Sequence, residues 1–131
     1  MKTTGVWIDK KKAAIITIEN GVETTDEVFS KLEKLNLKSE TGNRLKGGIQ
    51  SSTYLKYEHE KLKKYYREIA GRIKNTEALV ILGPGETATH FSKELHTYFS
   101  ELGNRIKGVH KADSMTENQL KAWVKNFFET N

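Results

Sequence analysis

The sequence predicts an α/β domain with a mixed sheet and helices on its faces, and three observations carry that expectation. Apolar, β-branched runs follow one another at the start of the chain, separated by polar turns. A continuous apolar run, Ala78-Leu79-Val80-Ile81-Leu82, then lies between two segments of helical periodicity. Such a run suits a central strand covered on both sides. A third helical pattern closes the chain.

Each element has a local reason. Val6-Trp7-Ile8 reads as the first strand, and Asp9-Lys10-Lys11-Lys12 as the polar turn after it. Residues 13–18, Ala-Ala-Ile-Ile-Thr-Ile, form a second strand, and Asn20-Gly21 is a strong hairpin signal. Residues 22–29 read as a third strand despite Glu23, Asp26 and Glu27. Residues 30–50 carry Gly42, Gly47 and Gly48 and are expected to be irregular, with a flexible loop at about 38–50. Residues 51–74 predict one long helix whose apolar stripe is Leu55, Leu62, Tyr65, Tyr66, Ile69 and Ile73. Gly83-Pro84-Gly85 ends the central strand sharply, and residues 87–102 form the next helix, with Phe91, Leu95, Tyr98, Phe99 and Leu102 inward. A short strand follows around Ile106 and Val109. The last helix covers 116–128, opened by a Thr116/Gln119 capping box and buried through Leu120, Trp123, Val124 and Phe127. The order β-β-β-α-β-α-β-α is that of the ribonuclease H-like fold.

Bulk properties narrow the function. A chain of 131 residues fits one domain, 1–131. With no cysteine, disulfides, zinc–thiolate sites and thiol catalysis are excluded. No apolar run approaches the roughly 18 residues that a membrane helix needs, and the N-terminus lacks an apolar signal core, so a cytoplasmic protein is expected. The charge is uneven. Residues 31–74 hold 12 Lys or Arg against 5 Asp or Glu, a net +7, while the whole chain is only +5. Localised positive charge around one helix suits a polyanion such as RNA, although a merely solvated helix face would look alike.

Lys46-Gly47-Gly48-Ile49-Gln50-Ser51 is the most distinctive stretch, because a glycine pair and an amide stand just before a Lys- and Tyr-rich helix. With the strand ending in Gly83-Pro84-Gly85 and the closing helix after Asp113-Ser114-Met115-Thr116, it makes most of the chain resemble a known family. This is the middle domain of the archaeal and eukaryotic class I peptide chain release factors and Pelota, here as a small bacterial stand-alone relative. The resemblance implies a partner, the ribosome or a tRNA acceptor end, and no cofactor. It also implies an activity, hydrolysis of the peptidyl-tRNA ester. Gln50 would orient water, and the backbone at Gly47 and Gly48 would stabilise developing charge. Arg44, Lys46, Lys56, Lys63, Lys64 and Arg67 would contact phosphates, and Tyr54 or Tyr57 would stack on a base unless they pack inside. The family triplet is Gly-Gly-Gln, whereas Ile49 here separates glycines from glutamine. The family's codon-reading and factor-recruiting domains have no counterpart in these residues, so stop-codon recognition by this chain alone is not expected.

Other classes stay open beside this one. A non-catalytic ribosome-binding or stress factor would use the same surface without the glutamine. A protein-interaction domain would turn the basic face toward an acidic partner. A metal-dependent nuclease would need converging carboxylates, for which Asp9, Glu86 and Asp113 are the candidates. Asp9, followed by three lysines, reads better as a turn residue, so no metal site is expected. Gly83-Pro84-Gly85-Glu86-Thr87 lacks the spacing of a phosphate-binding loop. His59, His90, His96 and His110 show no metal-ligand spacing. Oligomeric state is left open.

Overall fold

The computed structural model describes the backbone of residues 1–31 and 48–130, and the side chains of 1–31 and 55–130. Strands β1 (Lys2–Ile8), β2 (Lys12–Glu19) and β3 (Val22–Phe29) precede helix α1 (Gly48–Arg72). Strand β4 (Ala78–Gly83), helices α2 (Thr87–Tyr98) and α3 (Ser100–Gly103), strand β5 (Ile106–Lys111) and helix α4 (Glu117–Thr130) follow. The sheet runs β3-β2-β1-β4-β5, antiparallel across β1, β2 and β3 and parallel across β1, β4 and β5. The predicted mixed sheet is therefore present, with the element order expected from the sequence.

The first hairpins follow from local chemistry. Asn20 and Gly21 both take positive φ, 54° and 78°, as a type I′ turn demands at its two central positions. At the β1–β2 tip, the Asp9 carboxylate accepts backbone N–H bonds from Lys11 and Lys12, both at 2.8 Å. Asp9 thus closes its own turn. Strand β3 is an outer strand, exposed along its length except at Val28. This location explains the charges that weakened its sequence signal: an edge strand tolerates Glu23, Asp26 and Glu27 and is protected by them.

Alternation along the strands divides the core in two. Val6, Ile8, Ala13, Ile15, Val28, Leu79 and Ile81 face α1, α2 and α3. Trp7, Ile16 and Leu82 face α4 and meet Leu120 and Val124. Gly5 also lies on the α4 side, and a methyl group there would overlap Val124. Only hydrogen at that position lets the helix approach β1 so closely. Trp7 donates from its indole nitrogen to the carbonyls of Ala112 and Asp113, at 3.3 and 3.2 Å, which ties β1 to the β5–α4 connection. Thr116 and Gln119 form the predicted capping box in both directions, at 2.9 and 3.1 Å.

Three details differ from the sequence expectation. Helix α1 begins at Gly48, three residues earlier than expected, and its buried stripe runs from Leu62 to Ile73. Leu55, two turns before Leu62, is 61% exposed rather than buried. Second, the helix over 87–102 breaks at Phe99, whose φ of −138° and ψ of 61° are not helical. Tyr98, the last residue of α2, is 61% exposed although it keeps helical phase with Phe91 and Leu95, and after the break Leu102 is buried. Third, β5 carries an irregularity opposite Leu79 and Val80. It explains how Ile106 and Val109, three residues apart, pair with Leu79 and Ile81 on one face, which a regular strand forbids.

Tyr65 and Tyr66 anchor α1. Tyr65 donates to the Asp9 carbonyl at 2.9 Å, and the Tyr66 ring packs 5.4 Å from Phe91. Burial raises the phenol of Tyr65, helped by the negative charge of Asp9. Burial, then Glu94 and Glu58, pushes Tyr66 up to about 12. Both phenols therefore favour the folded state below pH 10, and that preference is lost as pH rises, because the unfolded tyrosines ionise first near 10.0. Chemical denaturation above pH 10 should show stability falling by up to about 1.4 kcal/mol per pH unit for each such tyrosine. Tyr66→Phe should flatten that fall; an unchanged slope would rule out the buried phenol as its source.

Candidate nucleic-acid interface

Helix α1 has two flanks beside its buried stripe, and the spacing of its residues assigns each side chain to one of them. Glu58, Tyr65 and Arg72 recur every seven residues and face the strands. Glu58 meets Lys10 at 3.4 Å, Tyr65 reaches Asp9, and Arg72 grips Asp26 at 2.7 Å and Glu68 at 2.8 Å. The Arg72 guanidinium holds the Asp26 carboxyl below its ordinary range, and Asp26 and Glu68 in turn raise Arg72. Both partners are largely exposed, so this pair adds little stability. Its effect is to neutralise this flank.

The other flank is different. Lys56, Lys63 and Arg67 are spaced by seven and four residues, which places them in one row along the helix, and Lys74 extends that side from the turn just past Arg72, the last helical residue. This row borders the buried stripe on the side of α2 and α3. Among the described residues, none of these four side chains forms an ion pair, and neither does Lys64, on the outward face. The Lys63 ammonium lies over the exposed Tyr98 ring, 5.3 Å from its centre. Lys61 lies over Tyr57 in the same way, at 5.5 Å. Tyr57 is half-buried and belongs to neither core cluster. Unpaired cations interleaved with aromatic faces suit a polyanion that also carries flat rings.

The structure thus brings Lys56, Lys63, Lys64 and Arg67 onto one helix and leaves them available. Gly48 and Gln50 lie in the first turn of that helix, as does Ile49. Arg44, Lys46 and Gly47 fall outside the described residues, as do positions 38–47 of the expected loop and the side chains of Gln50 and Tyr54. Two contributors were missed in the sequence. Lys74, in the turn just after α1, was not among the sequence candidates, and the groove lining places it beside Arg67. Tyr98 was assigned to the core because it keeps helical phase with Phe91 and Leu95, yet it ends α2 and is exposed there.

The carboxylates considered for a metal serve other purposes. The Asp9 carboxylate caps its turn and that of Glu86 meets Lys111 at 3.4 Å, while Asp113 contributes its backbone carbonyl to Trp7. Among the described residues, no group of three or more His, Cys, Asp or Glu side chains is placed to hold a metal ion. No described helix is long and apolar enough to cross a membrane. Asp9→Ala should cost about 1 kcal/mol in thermal or chemical denaturation, because two backbone donors lose their acceptor. Asp9→Asn, which keeps an acceptor oxygen, should cost less and respond to Mg²⁺ as the wild type does. A Mg²⁺ stabilisation abolished by Asp9→Asn would instead make Asp9 a metal ligand.

Comparison with known proteins places this geometry. No family model matches the chain, and no curated protein matches it in sequence. Solved structures do. Pelota of Archaeoglobus fulgidus matches with a TM-score of 0.61 at 12% identity, over 95% of this chain and 31% of that protein. Pelota of Thermoplasma acidophilum matches with a TM-score of 0.57 at 18% identity, over 95% and 32% of the two chains. The archaeal translation termination factor aRF1 matches with a TM-score of 0.51 at 12% identity, over 98% and 39%. The chain therefore spans about a third of the length of these proteins. Its fold is that of a domain found in Pelota and in archaeal translation termination factor aRF1.

Proposed function

We propose that this chain is a translation-associated factor of the cytoplasm that binds ribosomal RNA or a tRNA acceptor end through α1. The observation that carries this reading is that Lys56, Lys63 and Arg67, with Lys74 in the turn just after the helix, stand unpaired among the described residues along one side of α1, whose opposite flank is neutralised. Salt bridges within the fold leave that row unpaired, so it can exchange counterions for phosphates without breaking an internal ion pair. The likeness in fold adds support, since two of the matching structures are a translation termination factor and Dom34 of S. cerevisiae, described as a translation termination-like factor. A partner of acidic protein would use the same charges, but it would not call for exposed rings among them.

The row also points back toward the start of α1, where Gly48, Ile49 and Gln50 form the first turn. If the factor is catalytic, the reaction is hydrolysis of the peptidyl-tRNA ester. Water would attack the ester carbonyl, oriented by the Gln50 amide, with Gly47 and Gly48 as the close-approach backbone. Without catalysis, the same surface makes a ribosome-binding factor of the non-catalytic class.

Two measurements test these statements. Lys63→Glu/Arg67→Glu should abolish co-sedimentation with ribosomes while leaving the melting transition in place. Wild-type binding should weaken steeply with salt, and single neutralisations should lower the salt slope by about 1 each. Sedimentation indifferent to these charges would overturn RNA binding by α1. Separately, Gln50→Ala should slow peptidyl-tRNA release by about a hundredfold if the amide acts in the transition state; equal rates remove Gln50 from any mechanism and leave the binding role.

A further inference from the structure

Between the C-terminal half of α1 and the Phe99 break lies a groove of about 570 Å³. Its floor is apolar: Ala70 and Leu102 are 1% and 4% exposed, and Phe99 is half-buried beside them. Arg67 and Lys74 stand on one wall, and Ser100 and Glu101 on the other. Gly71 lines the groove and puts no side chain into it. A Cβ placed on Gly71 would meet nothing within 4 Å. Gly71 is the second-to-last residue of α1, and no close packing contact among the described residues calls for a glycine there. Its φ is not positive, so no backbone conformation demands it either. What it provides is unfilled space between two cations.

We infer that this groove receives one unstacked base of a single-stranded RNA segment, with Arg67 and Lys74 holding the flanking phosphates. The inference rests on the RNA-binding reading above and assigns it a subsite. Every base has a flat apolar face, and Phe99 and the Ala70–Gly71 backbone offer the surface to cover it. Tyr98, one residue before Phe99, presents a second ring under the Lys63 ammonium, so the strand has a stacking surface as it leaves the groove. Glu101 is the only acid on the wall, and it opposes a bare anion. An ionised carboxylate only accepts hydrogen bonds. It therefore suits the exocyclic amino group of adenine, cytosine or guanine better than uracil, whose one edge donor, N3–H, is flanked by two carbonyl oxygens that repel a carboxylate. A groove built for phosphate alone would not carry this residue.

The test uses fluorescence-labelled hexamers of adenylate, of uridylate and of an abasic backbone with equal charge, titrated with the whole chain. The wild type should prefer the adenylate hexamer over the other two by about tenfold, the order expected for one stacked, hydrogen-bonded base. Gly71→Leu fills the groove with a better helix former, so its melting temperature should hold or rise. Its affinity for the adenylate hexamer should drop to the abasic level, with abasic binding unchanged. Glu101→Gln, whose amide both donates and accepts, should narrow the gap between adenylate and uridylate. Equal adenylate affinity in wild type and Gly71→Leu overturns the groove while leaving RNA binding by α1 intact. Equal losses for adenylate and abasic hexamers in Gly71→Leu overturn it too, because the change then acts on phosphate contacts rather than on a base. A wild type that binds none of the hexamers, and no ribosome, overturns the RNA reading and the groove with it.

Discussion

The burial of one stripe of α1 against the sheet is the constraint on which the other features depend. Tyr65, Tyr66, Ile69 and Ile73 lock the helix's rotation about its own axis. The two tyrosine rings stack on each other at 5.9 Å, and Tyr66 continues to Phe91 in α2. Tyr65 adds a directional bond to the Asp9 carbonyl, so the helix is registered against a hairpin tip and not merely pressed on a greasy surface. Once that rotation is set, every other side chain of α1 has its direction. Glu58 and Arg72 must face the hairpins, and Lys63, Arg67 and Lys74 must face α2 and α3.

This rotation separates charges that the sequence presents as one basic run. On the strand side, Asp26 of β3 and the helix's own Glu68 pair with Arg72, and Glu58 pairs with Lys10, so that flank is neutralised. On the other side, the neighbours are Tyr98, Phe99, Ser100 and Glu101, which are mainly aromatic or neutral. Long-range attraction between exposed charges is screened by salt within about 10 Å. A polyanion at contact distance therefore feels the unpaired row far more than the net charge of the chain. The asymmetry of the two flanks says more about function than the total of +5.

The residues of β1 to β3 and of α4 were legible because their signals are local. Asn20-Gly21 specifies a turn by the φ values those two residues accept, and Thr116 and Gln119 satisfy each other's backbone across three residues. Ala78 to Leu82 announced a covered strand by having no polar face. The misjudged positions are of another kind. Leu55 keeps perfect helical phase with Leu62 yet has no core beside it, because phase gives direction and not the extent of the sheet. Tyr98 keeps helical phase with Phe91 and Leu95 yet is exposed at the end of α2, and the non-helical Phe99 redirects only the chain after it. Ile106 and Val109 needed an irregular strand before they could share a face.

By itself the sequence determined which segments are strands and helices, where the hairpin turns fall, and that one helix is both amphipathic and basic. Those properties follow from interactions within about four residues or from the free energy of burying an apolar stripe, and both are written in the order of residues. Only the tertiary structure decided which cations are neutralised and which are left unpaired, and that the space over Gly71 opens into a groove. Asp26 and Arg72 are 46 positions apart, and Gly71 and Phe99 are 28 apart. Which of these groups become neighbours is set by how the helices pack on the sheet, a choice made by the whole core and invisible in any local window of the chain.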